Sequence, residues 1–306
     1  MELVATLFAL TLAAGTPLVL AAIGELVTER AGVLNLGVEG MMLVGAVAAF
    51  IVAATTQLPW LGVAAGMAAA AALSLVFAFL TLTLMANQVA TGLALSLFGI
   101  GVSAFAGQHY VSMVIDGIKP LSVAGLSDLP FFGKLLFAHS PFVYLSLAVV
   151  ASVQWFLFHT RAGLIVRAVG ESPDSAHAIG YRVIAIRYAA VVFGGACAGL
   201  AGGYLATAYT PQWSEGMTAG RGWIALALVV FGTWKPWRML AGAYLFGAVT
   251  LAQFQAQAMG VALPSQLLSM LPYLATIIVL TIISRDALTI RLNAPASLGR
   301  PYHPEA

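Results

Sequence analysis

The strongest constraint on this chain is a succession of apolar runs, each of about 20 residues and almost free of charge. Such a run spans the roughly 30 Å hydrocarbon core of a bilayer as an α-helix, whose backbone groups are all hydrogen-bonded internally. The runs lack the alternation of a β-strand. Only 8% of the residues are charged, too few to cover a water-facing surface. We therefore predict an all-α fold, a polytopic bundle of transmembrane helices.

Nine runs are interpreted as spans, and together they predict a single transmembrane domain over residues 1–306. The predicted spans are 3–24, 34–56, 61–84, 88–106, 141–158, 188–208, 217–233, 239–258 and 267–283. The seventh has a short apolar part, and residues 209–222 before it are interpreted as partly re-entrant, which requires burial in protein. The first run lacks a preceding basic segment, so we expect a retained span rather than a cleaved signal peptide.

Basic residues divide unevenly between the two sides of this bundle. One side holds Arg30, Arg161, Arg167, Arg182, Arg187, Lys235, Arg238, Arg285, Arg291 and Arg300, and the other holds Lys119, Lys134 and Arg221. Loops rich in Lys and Arg stay in the cytoplasm. We therefore predict an external N-terminus and a cytoplasmic tail over 284–306. Near the span ends, the tryptophans expected to anchor at the membrane surfaces are Trp60, Trp213, Trp223, Trp234 and Trp237.

Polar residues inside or beside the spans are candidates for a translocation path. Glu39 lies within the predicted second span, where a carboxylate costs a few kcal/mol. It is interpreted either as lining the path or as capping or pairing with Arg30 near the membrane surface. The other candidates are Asn35, Gln253, Asn87 and Gln88, the last two of which also fit a cytoplasmic turn.

The sequence lacks the common nucleotide-binding and catalytic motifs. It has no phosphate-binding loop of the form Gly-x-x-x-x-Gly-Lys-Ser/Thr, no His-Glu-x-x-His and no Gly-x-Ser-x-Gly. Its five histidines are scattered singly. We therefore expect no catalytic residue, no metal and no cofactor in this chain, and the net charge of +2 gives no indication of a nucleic-acid partner. The functions that remain for this chain are those of a transporter, a homo-oligomeric channel or a scaffold protein.

The segment between the first two spans carries a dense motif, Glu29-Arg30-x-Gly32-Val33-x-Asn35-Leu36-Gly37-x-Glu39-Gly40-Met41. It resembles a signature of bacterial ABC importer permeases, in the family of branched-chain amino-acid, ribose and nucleoside permeases. The residues of this motif are similar to those of the nucleoside and simple-sugar branch of the family. Two later stretches also resemble that branch: Gly220-Arg221-Gly222-Trp223-Ile224-Ala225-Leu226-Ala227 and Phe231-Gly232-x-Trp234-x-Pro236. The chain resembles the smaller of two permeases of such systems.

The resemblance implies a set of partners and a location. The chain is expected in the bacterial plasma membrane, beside ABC ATPase subunits that bind the ATP, a second and longer permease, and an extracytoplasmic solute-binding receptor. It implies import of a small polar solute, with nucleosides first and simple sugars as the alternative.

The basic segment 159–187 contains a predicted short helix. Ser172 suits the N-cap, Pro173 the first helical position, Asp174 the positive end of the dipole and Gly180 the stop. In the resembled family this position holds the coupling helix that enters a groove of the ATPase. The candidate coupling residues are Glu171, Ser172, Pro173, Asp174, Ala176, Ile179 and Gly180. Ala176 and Ile179 are expected to be exposed and to enter that groove. The alternative is a surface loop lying on its own bundle.

Overall fold

The computed structural model describes residues 2–121, 137–259 and 293–303, with eight separate positions between 267 and 281. Within these residues there are ten α-helices: α1 Glu2–Arg30, α2 Val38–Thr56, α3 Pro59–Ala78, α4 Gln88–Gly107, α5 Pro141–His159, α6 Arg161–Glu171, α7 Pro173–Ala178, α8 Val183–Tyr204, α9 Arg221–Phe231 and α10 Pro236–Ala258. Wider π-helical turns, Phe79–Thr83 and Leu205–Tyr209, extend α3 and α8. No strand occurs in this part of the chain, so the all-α prediction is confirmed.

Seven helices of the described residues are long and apolar enough to cross a membrane: Ala5–Arg30, Val38–Thr56, Pro59–Thr83, Gln88–Tyr110, Pro141–His159, Val183–Tyr209 and Pro236–Gln257. They correspond to the first six predicted spans and to the eighth. In place of the seventh, the structure has α9, whose 11 residues extend about 16 Å, half the hydrocarbon thickness. The predicted ninth span, 267–283, lies outside the described residues apart from separate positions.

The centre of the bundle is a crossing of α2, α3 and α8 at three glycines. A Cβ added to Gly45 would lie 2.6 Å from Gly199 Cα, and one added to Gly66 would lie 2.5 Å from the carbonyl oxygen of Gly45. In lipid, helices associate through van der Waals packing rather than the hydrophobic effect, and small residues allow that close approach. At these glycines the three helices therefore pack with direct contact between their backbones.

For two of the five tryptophans predicted to anchor at the membrane surfaces, the prediction is wrong. Trp213 and Trp234 are 1% and 4% exposed, whereas Trp60, Trp223 and Trp237 are well exposed. Trp213 packs beside Phe50, and its position near a span end does not reveal that burial. The indole N–H of the buried Trp234 has a polar partner inside the protein.

Candidate functional site

The signature segment, residues 29–41 from the end of α1 to the start of α2, is buried although it carries several charged residues. Glu29, Arg30, Asn35 and Glu39 are all under 8% exposed. The chain turns at Gly32, whose φ of +85° lies in the left-handed region. It is then fixed by Asn35, whose side-chain oxygen accepts from the backbone N–H of Gly37 at 2.9 Å. The signature residues Gly37 and Gly40 lie at the start of α2, where Gly40 packs against the backbone of α4.

Glu39 binds the beginning of the short helix α9. One carboxylate oxygen accepts from the Thr218 hydroxyl at 2.6 Å and from the Gly220 N–H at 2.9 Å, and the other accepts from the Gly222 N–H at 2.6 Å. The first N–H groups of a helix have no partner within it, and the helix dipole favours a negative charge there. Glu39 thus caps a helix about 180 residues away in sequence, and Arg30 binds elsewhere.

The other end of α9 is held by the two residues that open the signature. The indole N–H of Trp234 donates to Glu29 at 2.6 Å, and the Arg30 guanidinium donates twice to the Trp234 carbonyl, at 2.8 and 3.2 Å. Thr233 and Trp234 have φ values of +50° and +54°, which are uncommon for residues with a side chain. Such conformations cost about 1–3 kcal/mol each and persist where surrounding contacts impose them. The signature segment, residues 29–41, therefore holds α9 at both ends.

A tail segment, residues 293–303, binds the turn after α1. The Asn293 carbonyl accepts from Arg30 at 3.0 Å, and the Gly299 N–H donates to the Gly32 carbonyl at 3.2 Å. Arg30 thus contacts the tail segment and the end of α9 at once. The described part of the predicted cytoplasmic tail, 284–306, is hydrogen-bonded to the signature.

The same tail segment binds the end of α6. The Ser297 N–H donates to the Gly170 carbonyl at 3.0 Å, and the Ser297 hydroxyl donates to that carbonyl at 2.7 Å. Arg187, at 1% exposure, donates to the Ala31 carbonyl at 3.1 Å and to the Ser297 hydroxyl at 3.0 Å. The Ala296 N–H donates to the Glu171 carboxylate at 3.2 Å. One chain of hydrogen bonds therefore joins α6, the tail segment and the turn after α1.

The predicted helix in 159–187 is present as α7, Pro173–Ala178. The Ser172 hydroxyl accepts from the Ser175 N–H at 3.3 Å, as an N-cap does. Asp174 lies in the first turn, and Gly180 follows the helix with φ +94°. The local sequence signals for this helix are therefore confirmed.

The expected exposure of Ala176 is wrong. Its side chain is 2% exposed and packs with Val169, Val183 and Tyr302, so the tail segment and α8 cover that face of α7. Ile179 is 72% exposed, as expected. Of the two apolar side chains predicted to enter a partner, only Ile179 is available at the surface.

The remaining path candidates lie in different places. The Gln88 side-chain oxygen accepts from the Leu34 N–H at 2.8 Å, and Asn87 caps α4 by accepting from the Ala90 N–H at 3.0 Å. Gln253 lies on α10 and is 8% exposed. The structure thus places Gln88 beside the signature segment, which itself contains Asn35 and Glu39. Among the described residues, no group of three His, Cys, Asp or Glu side chains could hold a metal ion.

Sequence reasoning missed the partners of the signature: Thr218 for Glu39, Trp234 for Glu29, and Arg187 with Ser297 for the turn. The resemblance of 231–236 to the permease branch was the one signal near Trp234, and it gave no indication of what its indole binds. These pairings join residues far apart in sequence, and none leaves a local pattern.

Comparison with known proteins supplies the family. Residues 7–280 match the family model described as branched-chain amino acid transport system / permease component. A putative glucose ABC transporter permease protein of Haloferax volcanii is 42% identical over 100% of this chain and 99% of its own length. A guanosine ABC transporter permease protein of Bacillus subtilis is 32% identical (95% and 94%), and a nucleoside ABC transporter permease protein of Lactococcus lactis is 34% identical (94% and 93%).

No solved structure matches the chain. The family and the spans make it a multi-pass plasma membrane protein and a transport subunit rather than an enzyme. As such it works with an ATPase and other transporter subunits. The chain belongs to the permease-component family of the branched-chain amino acid transport systems, as a permease subunit of an ABC transporter.

Proposed function

We propose that this chain is the smaller permease of an ABC importer whose cargo is a nucleoside. The observation that carries the proposal is the near full-length similarity to a guanosine permease and a nucleoside permease. A simple sugar is the second candidate, favoured by the 42% identity to a putative glucose permease.

The proposed mechanism places no chemistry in the chain. Residues 1–306 form one permease domain that crosses the membrane nine times, the seventh crossing being made by the half-length helix α9 together with the segment before it. The N-terminus is external and the C-terminus cytoplasmic. It encloses a path together with a second, longer permease, and an extracytoplasmic receptor delivers the solute. No cofactor is bound here, since the ATPase subunits hold the ATP. The ATPase subunits bind two states of the bundle with different affinity. That difference shifts the bundle between outward and inward access.

The coupling helix in this proposal is α7, with Ile179 as the side chain that enters the ATPase groove. In this proposal, motion of α7 reaches the bundle through hydrogen bonds of α6 and the tail segment. The end of α6 is bound to Ser297, the tail segment is bound to Arg30, and Arg30 is bound to the end of α9. This connection supports a role for α9 as the element that moves when ATP binds.

Uptake by cells that express the assembled transporter tests the cargo. Radiolabelled guanosine or uridine should accumulate with ATP, and excess unlabelled nucleoside should compete, whereas excess glucose should not. The reverse competition would select the sugar. Failure of both solutes to enter, with all subunits assembled, would contradict the proposal.

Cysteine labelling tests the topology. A cysteine at Asp116, whose side chain is 81% exposed, should react with an impermeant reagent from outside, and one at Ser175 only after permeabilisation. The native Cys197 is buried and should contribute little background. Reversed accessibility would contradict the proposed orientation. Ser127, a further external candidate for labelling, lies outside the described residues.

A further inference from the structure

The helix α7, proposed above as the coupling helix, depends on its neighbours for its position. It has six residues, too few for an isolated helix to persist in water. Among those six residues only Ala176 is buried, and it lies outside the main apolar core of the bundle. It packs in a separate small cluster with Val169 of α6, Val183 of α8 and Tyr302 of the tail segment. Whatever fixes this cluster therefore fixes α7.

Tyr302 is the contribution of the tail segment to that cluster. Its side chain is 8% exposed and is the largest of the four buried members. It lies against two successive residues of α7: it shares the cluster with Ala176, and its ring centroid is 6.2 Å from that of His177. Removing the ring would therefore take away the largest side chain on which α7 rests.

The local sequence of the tail segment sets the position of Tyr302. The Arg300 N–H donates to the Ser297 carbonyl at 3.0 Å, which closes a tight turn. Gly299 has φ +74° at the third position of that turn, where a left-handed conformation favours glycine. Pro301 follows, and its ring restricts the backbone just before Tyr302. Since Ser297 and Gly299 also bind the end of α6 and the turn after α1, Tyr302 extends from a turn that is itself held in place.

Arg187 of α8 connects Tyr302 to the turn after α1. Its guanidinium lies over the Tyr302 ring, 6.0 Å from the centroid, and such a pair attracts more strongly when it is removed from water. The same guanidinium donates to the Arg300 carbonyl at 3.4 Å, to the Ser297 hydroxyl at 3.0 Å and to the Ala31 carbonyl at 3.1 Å. With Arg187 only 1% exposed, one buried cation contacts the ring beneath α7 and the turn after α1.

From these contacts we propose that Tyr302 is a positioning residue for the coupling helix. Its ring holds α7 in the orientation that leaves Ile179 at the surface, and Arg187 transmits displacement of the ring to Ala31. This role rests on the proposed function of α7. It makes the tail segment a working part of the coupling segment, the name used here for α6 and α7 together.

Import and ATP hydrolysis by the assembled transporter in lipid vesicles test this role. Tyr302→Ala removes the ring and leaves Ile179 in place, so the ATPase subunits should still associate and hydrolyse ATP. The amount of radiolabelled guanosine imported per ATP, or of glucose if the wild type imports that solute, should fall by on the order of tenfold, as for residues that connect two coupled sites. Thermal unfolding of the permease pair should change little, because Tyr302 lies outside the main core.

Two further variants show whether the ring itself is responsible. Tyr302→Phe keeps the ring and should retain the wild-type ratio of import to hydrolysis. His303→Ala, at the exposed neighbouring residue, is the matched control and should retain it as well. A wild-type ratio in Tyr302→Ala, or a loss in Tyr302→Phe as large as in Tyr302→Ala, would overturn the proposal.

Ile179→Glu separates this role from the proposed function of α7. If Ile179→Glu retains its ATPase and imports normally, α7 is not the coupling helix, and the role of Tyr302 is refuted with it. If Ile179→Glu loses its ATPase while Tyr302→Ala imports normally, α7 couples without support from the tail segment, and only the role of Tyr302 is refuted.

Discussion

The two ends of α9 are held by the same segment in opposite ways. At its beginning, one carboxylate, Glu39, accepts hydrogen bonds from two backbone N–H groups at the helix start, those of Gly220 and Gly222, and from the Thr218 hydroxyl. At its end, two residues in left-handed conformations are kept in place by Glu29 and Arg30. The first contact relieves an unsatisfied helix end, while the second maintains a strained junction.

This contrast indicates which end of α9 can transmit motion to the bundle. The contact at Glu39 involves α2, which packs into the glycine crossing at the centre of the bundle. The contact at Trp234 involves Arg30, which also binds the tail segment and through it α6. We therefore expect the beginning of α9 to act as a fixed anchor and its end to respond to the coupling segment. Four variants test that comparison, ordered by their expected effect on stability.

The largest effect is expected for Glu39→Gln. The amide keeps one acceptor oxygen but directs an N–H₂ group at backbone donors, leaving at least one of them buried without a partner. Each such group costs about 1–3 kcal/mol, more where a charge is lost, so we expect about 3 kcal/mol or more. Thermal unfolding of the purified permease pair measures it. Thr218→Val, which removes one hydrogen bond, should cost less; equal stability of wild type and Glu39→Gln would show that the anchor is dispensable.

Trp234→Phe is expected to have an intermediate effect of about 1–3 kcal/mol, because the buried Glu29 carboxylate loses its indole donor. If this end of α9 transmits motion, transport should fall further than stability does, while ATP hydrolysis by the assembled complex continues. The ratio of solute imported to ATP hydrolysed measures that uncoupling. Trp223→Phe, at an exposed tryptophan, is the control. An unchanged ratio would place the moving junction elsewhere.

Ser297→Ala removes the hydroxyl shared by Gly170 and Arg187 and should cost about 1 kcal/mol. Its expected consequence is a looser base of the coupling segment, seen as faster amide hydrogen exchange in α6 and α7. The exchange of α9 near Gly222 should not change, since Glu39 holds that end independently. Faster exchange at both ends of α9 would contradict the proposed asymmetry.

Ile179→Glu should change stability least, by under about 0.5 kcal/mol, because the side chain is exposed. Association with the ATPase should nevertheless fall, since the charge would be buried in the partner groove. Co-purification of the ATPase measures this. Ala176→Glu is the contrasting variant: it places a charge among Val169, Val183 and Tyr302 and should disorder α7 itself. Undiminished co-purification with Ile179→Glu would exclude this face of α7 as the contact.

Local features were predictable from the sequence and tertiary pairings were not. Ser172, Pro173 and Gly180 specify α7 through capping and backbone preferences that act within a few residues. The burial of Ala176 depends on Tyr302, more than 120 positions away, and a single small apolar residue in a polar segment carries no mark of which way it faces. The predicted seventh span, 217–233, was wrong for a related reason. The helix α9 begins only at Arg221, where Glu39, distant in sequence, supplies the cap that the preceding residues lack.

The glycine crossing of α2, α3 and α8 has a mechanical consequence. At Gly45, Gly66 and Gly199 the backbones touch without intervening side chains, so this region contains nothing that can be compressed or switch rotamer. Direct backbone contact leaves these helices no room to move toward one another at the crossing. The three helices therefore behave as one rigid block, and a change between outward and inward access has to displace other elements against it.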